Sequence, residues 1–117
     1  LLFFISSLLG GCKQILLEGR VTKITIEDRT HEYIGREINK REITDPEQIQ
    51  MIMDRLNNYQ KDTVKFAGTY YLIIESENRE RVVLRTDGKN FEVISGLEQN
   101  SIMYFKIKSN LNLLTYF

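Results

Sequence analysis

Apolar and polar residues change their rhythm several times along this chain, and each rhythm predicts an element. Residues 21–27 (VTKITIE) alternate, with Thr22, Ile24 and Ile26 on one side and Lys23, Thr25 and Glu27 on the other. Such alternation is what a half-buried strand requires. Residues 28–35 are polar and turn-like, and residues 36–43 form a weaker strand. Its only aliphatics, Ile38 and Ile43, fall on opposite faces, which suits an edge or irregular strand.

The period then switches to that of a helix. Asp45 can cap it, Pro46 suits the first helical position, and Glu47 sits favourably at the positive end of the dipole. Gln48, three residues after the cap, makes a variant of the capping box. Ile49, Ile52, Met53 and Leu56 form one apolar stripe, with Gln50, Asp54 and Arg55 facing away. The helix should end at Asn57-Asn58, with Tyr59 as a last apolar contact and residues 60–67 as a connection.

From Gly68 the pattern is β throughout. Residues 69–75 (TYYLIIE) are apolar on both faces: Tyr70, Leu72 and Ile74 on one, Tyr71 and Ile73 on the other. That marks a central strand covered on both sides. Residues 76–80 make a polar turn, and residues 81–86 return with Val82 and Leu84 opposite Val83. Asp87-Gly88 predicts a type I′ hairpin, because both residues tolerate positive φ. Residues 90–94 form the next strand, with Phe91 and Val93 alternating against Glu92 and Ile94. After a loop at 95–100, residues 102–108 (IMYFKIK) turn Met103, Phe105 and Ile107 inward and Tyr104 and Lys106 outward. Asn110 can then cap a short terminal helix. The expected architecture is α+β, a two-layer sandwich. A mainly antiparallel β-meander carries one amphipathic helix on one face and a short C-terminal helix.

The first twelve residues, LLFFISSLLGGC, obey none of these rhythms. Residues 1–9 are apolar apart from two serines, and Gly10-Gly11 lead directly into Cys12, the chain's single cysteine. The run is too short to cross a bilayer, which takes about 20 apolar residues. It fits the apolar stretch and small-residue cleavage site of a secretory signal. No basic residue precedes Leu1, so we expect the natural chain to begin further upstream. Leu9-Gly10-Gly11-Cys12 resembles the lipobox of bacterial lipoproteins: an aliphatic residue, two small ones and a cysteine. The resemblance implies diacylglycerol on the Cys12 thiol, cleavage before Cys12, and often acylation of the freed amine. The other reading makes residues 1–9 a buried strand or helix and Cys12 a core thiol. Position at the chain start, the double glycine and the abrupt change to Lys13-Gln14 argue against it.

The expected organisation is a signal peptide at 1–11, a tether at 12–19 and one domain at 20–117. As a layout, the lipobox, strand, capped helix and meander are similar to those of small, mostly uncharacterised lipoproteins of Gram-positive bacteria. The residues carrying that likeness are 24–26, 44–56 and 70–105. The layout implies no active site.

Composition narrows the chemistry. Sixteen basic residues balance sixteen acidic ones, and none lies within residues 1–11. A neutral domain has no net field to draw it to nucleic acid or anionic lipid, which leaves only local basic patches. One cysteine forbids an internal disulfide, and a single proline with few glycines argues against disorder.

Candidate chemistry is sparse. His31, the only histidine, has Asp28, Glu32 and Glu37 nearby in sequence. That suggests a small envelope hydrolase or metal-handling domain as the alternative function, although histidine metal sites usually need two or three such ligands. Glu75, Glu77 and Glu80, with Arg79 and Arg81 between them, read as a self-neutralising hairpin tip. No nucleophile elbow, Walker loop or dinucleotide glycine pattern occurs, so no cofactor is expected. More suggestive are the tyrosines Tyr70, Tyr71, Tyr104 and Tyr116. Tyr71, Ile73, Val83, Ile94 and Tyr104 would line any sheet face that the helix leaves uncovered, and aromatic patches commonly mark interaction sites. Otherwise those residues are core beneath the terminal helix. The expectation is a non-enzymatic domain lipid-anchored through Cys12 outside the cytoplasmic membrane, with an envelope protein or peptide as partner.

Overall fold

The computed structural model describes residues 20–31, 34–35, 38–61, 65–96 and 104–117. It is an α+β fold. The strands are β1 (Val21–Asp28), β2 (Asn39–Ile43), β3 (Tyr59–Lys61), β4 (Tyr70–Ser76), β5 (Arg81–Thr86), β6 (Asn90–Ser95) and β7 (Tyr104–Ile107). They form one antiparallel sheet in the order β2-β1-β4-β5-β6-β7-β3. Helix α1 (Pro46–Asn57) lies between β2 and β3, and a single 3-10 turn (Leu113–Tyr116) closes the chain.

The helix forms where its end signals place it. Asp45 has extended backbone angles, and its carboxylate accepts the Gln48 N–H at 3.2 Å. Ile49, Ile52, Met53 and Leu56 are its buried residues. They join Ile24 and Ile26 of β1, Ile43 of β2, Leu72 and Ile74 of β4, Val82 and Leu84 of β5, and Phe91, Phe105 and Ile107 in one core. Phe91 and Phe105 stand opposite each other in the β6–β7 ladder, their rings stacked with centroids 5.0 Å apart. Burying each such side chain contributes about 1.5–3 kcal/mol, against about 0–1 kcal/mol for an exposed ion pair. The helix–sheet contact therefore dominates stability.

Several details differ from the sequence reading. Residues 60–67 are not all connection: Tyr59–Lys61 pairs with β7 and supplies the sheet's second edge. Tyr59 thus ends the helix region as a strand residue, its ring 5.0 Å from that of Phe105. The weak strand at 36–43 begins only at Asn39 and is the other edge. Arg55 does not simply face away, since its guanidinium donates to the Asn110 carbonyl at 2.8 Å. Asn110 is therefore not the terminal cap. That position belongs to Asn112, which makes no side-chain capping bond, and the segment after it is one 3-10 turn. Met103 lies outside the described residues.

The β5–β6 hairpin also closes differently. The Asp87 N–H bonds the Asn90 carbonyl, so Gly88 and Lys89 are the central pair. Gly88 has φ 103°, whereas neither Asp87 nor Lys89 has positive φ. Glycine at the first central position marks a type II′ turn, not the I′ turn expected of Asp-Gly. The Asp87 carboxylate accepts from the Lys89 and Asn90 backbone N–H groups and from the Asn90 amide. The C-terminal segment docks on this turn, with the Leu111 N–H bonding the Gly88 carbonyl at 2.8 Å.

That turn generates two predictions. A Cβ on Gly88 would stand 2.7 Å from the Leu111 carbonyl oxygen at a φ that other residues rarely adopt. Gly88→Ala should therefore cost about 2 kcal/mol or more in urea unfolding, with faster hydrogen exchange at Leu111. Burial opposes ionisation of Asp87, but the hydrogen bonds from Asn90 and Lys89 outweigh it and hold the carboxyl below its usual range. Its contribution is fully present above the unfolded pKa of about 4 and is lost as pH falls through the lower folded value. The thermal stability advantage of wild type over Asp87→Ala should shrink over that acid range and stay constant from pH 5 to 7.

Candidate functional site

The helix covers one face of the sheet, and strand alternation sends the other set of side chains to the opposite face. Register then arranges them in rows. Lys40, Glu27, Tyr71, Arg85, Glu92 and Tyr104 stand side by side across β2, β1, β4, β5, β6 and β7. In the next row, Glu42, Thr25, Ile73, Val83 and Ser95 are neighbours. In the first row each pair of opposite charges, Lys40 with Glu27 and Arg85 with Glu92, is followed by a phenol.

Glu27 is only 5 % exposed. Arg29 donates to its Oε1 from Nε and Nη2 at 2.9 and 2.6 Å, and Lys40 Nζ lies 3.6 Å from Oε2. Arg29 also sits over the Tyr71 ring, 4.1 Å from its centroid. A carboxylate this buried is tolerable only when paired in this manner. Lys23 bridges Glu42 and Glu75, each at 3.4 Å. Its pKa is raised, first by the hydrogen bond with Glu75 and then by the charges of both carboxylates.

Arg85 anchors the other half of the face. Its Nε bonds Glu92 at 2.8 Å, while Nη1 reaches the carbonyls of Phe66 and Gly68 at 3.4 and 3.2 Å. The guanidinium lies 4.6 Å from the Phe66 ring centroid, and Phe66 meets Tyr104 edge-on at 6.5 Å. The segment leading into β4 is thus fastened to the helix-free face. Gly68 permits this approach, because a Cβ there would come within 2.8 Å of the Thr86 backbone. Burial pushes the Tyr104 phenol up, and its hydrogen bond with Glu92 adds to the shift while Arg85 opposes it.

The five residues singled out from sequence are brought together unequally. Tyr71, Ile73, Val83 and Tyr104 share the helix-free face, and Ile73 pairs directly with Val83. Ile73 is 7 % exposed, while Tyr71, Val83 and Tyr104 are half-buried. Only Ile94 is open, at 49 % exposure. It occupies the register shift where Leu84 pairs with Val93 but Val83 pairs with Ser95. None of the five lies beneath the C-terminal segment, whose Leu111 and Leu113 join the core on the helix side. Tyr70 and Tyr116 pack against that same core.

Glu27, Arg29, Phe66, Arg85 and Glu92 were not singled out by the sequence reading. The signal available was parity: Glu27, Arg85 and Glu92 alternate in step with Tyr71 and Tyr104, but only register makes them neighbours.

Cys12 lies outside the described residues, as do Glu32 and Glu37. His31 is exposed, and its carbonyl accepts the Ile34 N–H. Asp28 beside it is engaged by Thr30. At the acidic hairpin tip, Glu75 pairs with Lys23, Glu77 lies 4.0 Å from Arg20, and Glu80 keeps one buried oxygen without a partner among the described residues. Among the described residues, no group of three or more His, Cys, Asp or Glu side chains is placed to hold a metal ion. Nor is any helix among them long and apolar enough to cross a membrane. No protein-family model, curated protein or solved structure matches this chain.

Removing the Arg85 guanidinium tests how this face is held. Arg85→Met should cost about 2 kcal/mol and speed amide exchange over residues 66–69. Arg85→Met combined with Glu92→Met should recover part of that loss, because no carboxylate is then left unpaired.

Proposed function

We propose that this chain is a lipid-anchored domain on the outer side of the cytoplasmic membrane, with a binding role and no catalysis of its own. The anchor is a diacylglycerol thioether on Cys12, and the recognition surface is the helix-free face around Tyr71, Val83, Ile94 and Tyr104. The observation that carries the reading is Leu9-Gly10-Gly11-Cys12, two small residues and the only thiol directly after an apolar run. Two or three long acyl chains hold a small domain firmly on a bilayer, at about 0.8 kcal/mol for each buried CH2. The partner is an envelope protein or peptide. Tyrosine supplies large contact area with few rotatable bonds, and tyrosine and arginine are both enriched where proteins meet. Ile94, exposed at the irregular end of β6, gives that surface an apolar point of contact.

Mass spectrometry of the membrane fraction from a bacterium expressing the full reading frame tests the anchor. The expected product begins at Cys12 and carries acyl mass on it, and Cys12→Ser should leave the protein uncleaved and unlipidated. A mature species that retains residues 1–11, or an unmodified Cys12, rejects the proposal. Cross-linking in intact membranes tests the surface. Ile94→Lys should abolish capture of the partner without changing the melting temperature, and undiminished capture would remove this face from consideration.

A further inference from the structure

Of the seven glycines in the chain, only Gly88 follows an aspartate or an asparagine. An Asp-Gly bond carries a latent reaction of its own. The glycine amide nitrogen, unshielded by a neighbouring side chain, attacks the aspartate carboxyl carbon. An N–Cγ bond closes a five-membered succinimide, the N–H proton is lost, and the carboxyl OH leaves as water. Water then adds back to either imide carbonyl and restores the original mass. One opening regenerates aspartate; the other gives isoaspartate, in which the main chain runs through the former side chain. No reagent other than water takes part. Ring closure does require a free amide nitrogen with the carboxyl carbon turned onto it.

The β5–β6 turn denies both conditions. The Gly88 N–H donates to Thr86 Oγ1 at 2.8 Å, and that hydroxyl donates in turn to the Asn90 carbonyl at 2.8 Å. Its single proton is thereby committed to Asn90, which leaves a lone pair for Gly88. Thr86 has no exposed surface, and Gly88 is buried beside it. The Asp87 carboxylate is drawn the other way. Oδ1 accepts the Lys89 and Asn90 backbone N–H groups at 2.9 and 2.7 Å, and Oδ2 accepts the Asn90 amide at 3.0 Å. The peptides that follow are pinned as well. The Gly88 carbonyl holds the Leu111 N–H at 2.8 Å, and the Lys89 carbonyl holds the Ile107 N–H at 3.0 Å. Asp87 itself is exposed, so water reaches the carboxyl.

We infer that Asp87 is a latent modification site, kept closed by the Thr86 hydroxyl and converted to isoaspartate once this turn opens. Thr86 acts here as a positioning residue, through the nitrogen it holds. Conversion inserts one extra carbon into the main chain between residues 87 and 88. The hairpin bonds and the Leu111–Gly88 bond then cannot all re-form, so the C-terminal segment is loosened permanently. The inference is independent of the anchor at Cys12 and of the helix-free face.

The full chain is incubated at 37 °C and neutral pH, and isoaspartate at residue 87 is counted by peptide mapping and by enzymatic isoaspartyl methylation. The same chain in guanidinium chloride gives the unfolded rate. The Gly88 N–H bond and the carboxylate bonds must both break, at about tenfold for each. Folded wild type should therefore convert at least about a hundredfold more slowly than the unfolded chain. Thr86→Val, which keeps the shape and loses the hydroxyl, should convert about tenfold faster than wild type. Thr86→Ser should stay near wild type. Asn90→Ala, which leaves the buried threonine in place and frees Oδ2, should also convert faster. Each variant's unfolded fraction, from denaturant titration, multiplied by the unfolded rate gives the share due to global unfolding, and the valine and alanine variants should exceed it. The isoaspartyl product should exchange the Leu111 amide faster than fresh protein. Equal rates in folded and unfolded wild type would overturn the inference. So would rates in both the valine and alanine variants that match wild type or that global unfolding accounts for in full.

Discussion

One helix has to connect the two opposite edges of a seven-stranded sheet, and most of the architecture stems from that requirement. Helix α1 leaves β2 at one edge and delivers the chain to β3 at the other. Its twelve residues span about 18 Å, whereas seven strands spread over about 29 Å. The helix must therefore run across the sheet, with short links at either end making up the difference. Its apolar stripe meets β1 and β7, and this contact builds the core that encloses Phe91 and Phe105.

The same crossing makes the two faces chemically different. One face is sealed by hydrocarbon from the helix and the C-terminal segment. The other is organised by pairing: Glu27 with Arg29 and Lys40, Lys23 with Glu42 and Glu75, Arg85 with Glu92. The Lys23 pairs are more open to solvent and add little to stability, whereas Glu27 and the Arg85–Glu92 pair are largely buried and costly to leave unpaired. The set also contributes order, because it holds Tyr71, Phe66 and Tyr104 in defined positions beside charges.

How much of this was legible beforehand varies with the distance over which each feature is decided. The helix was readable to the residue, from Asp45 and Pro46 at its start to Asn57-Asn58 at its end, because capping and the i, i+3, i+4 stripe are local. The inward and outward sets of β1, β4, β5 and β6 were readable for the same reason, since alternation needs only neighbours. Tyr59–Lys61 was missed, as three residues carry too little pattern to declare a strand and the pairing with β7 is what makes them one. The hairpin at Asp87 was found, but its closure was shifted by one residue, and the Gly88 carbonyl it presents accepts the Leu111 N–H from a segment that no local pattern links to the turn. Of the candidate face, Tyr71, Ile73, Val83 and Tyr104 were placed correctly by parity. Arg29, Phe66 and Arg85 were invisible, since each matters only through a partner that no local pattern identifies.

Sequence alone determined the α+β class, the helix with its buried stripe, the neutral charge balance and the lipobox-like pattern ahead of the domain, all of which depend on residue type and short spacing. Tertiary structure decided which strands are edges, which side chains share a row, and where charges cancel. The physical reason is that register couples residues tens of positions apart through backbone hydrogen bonds that any side chain can accompany. Tyr59 meets Phe105, and Glu27 meets Lys40, only after the ladder has closed.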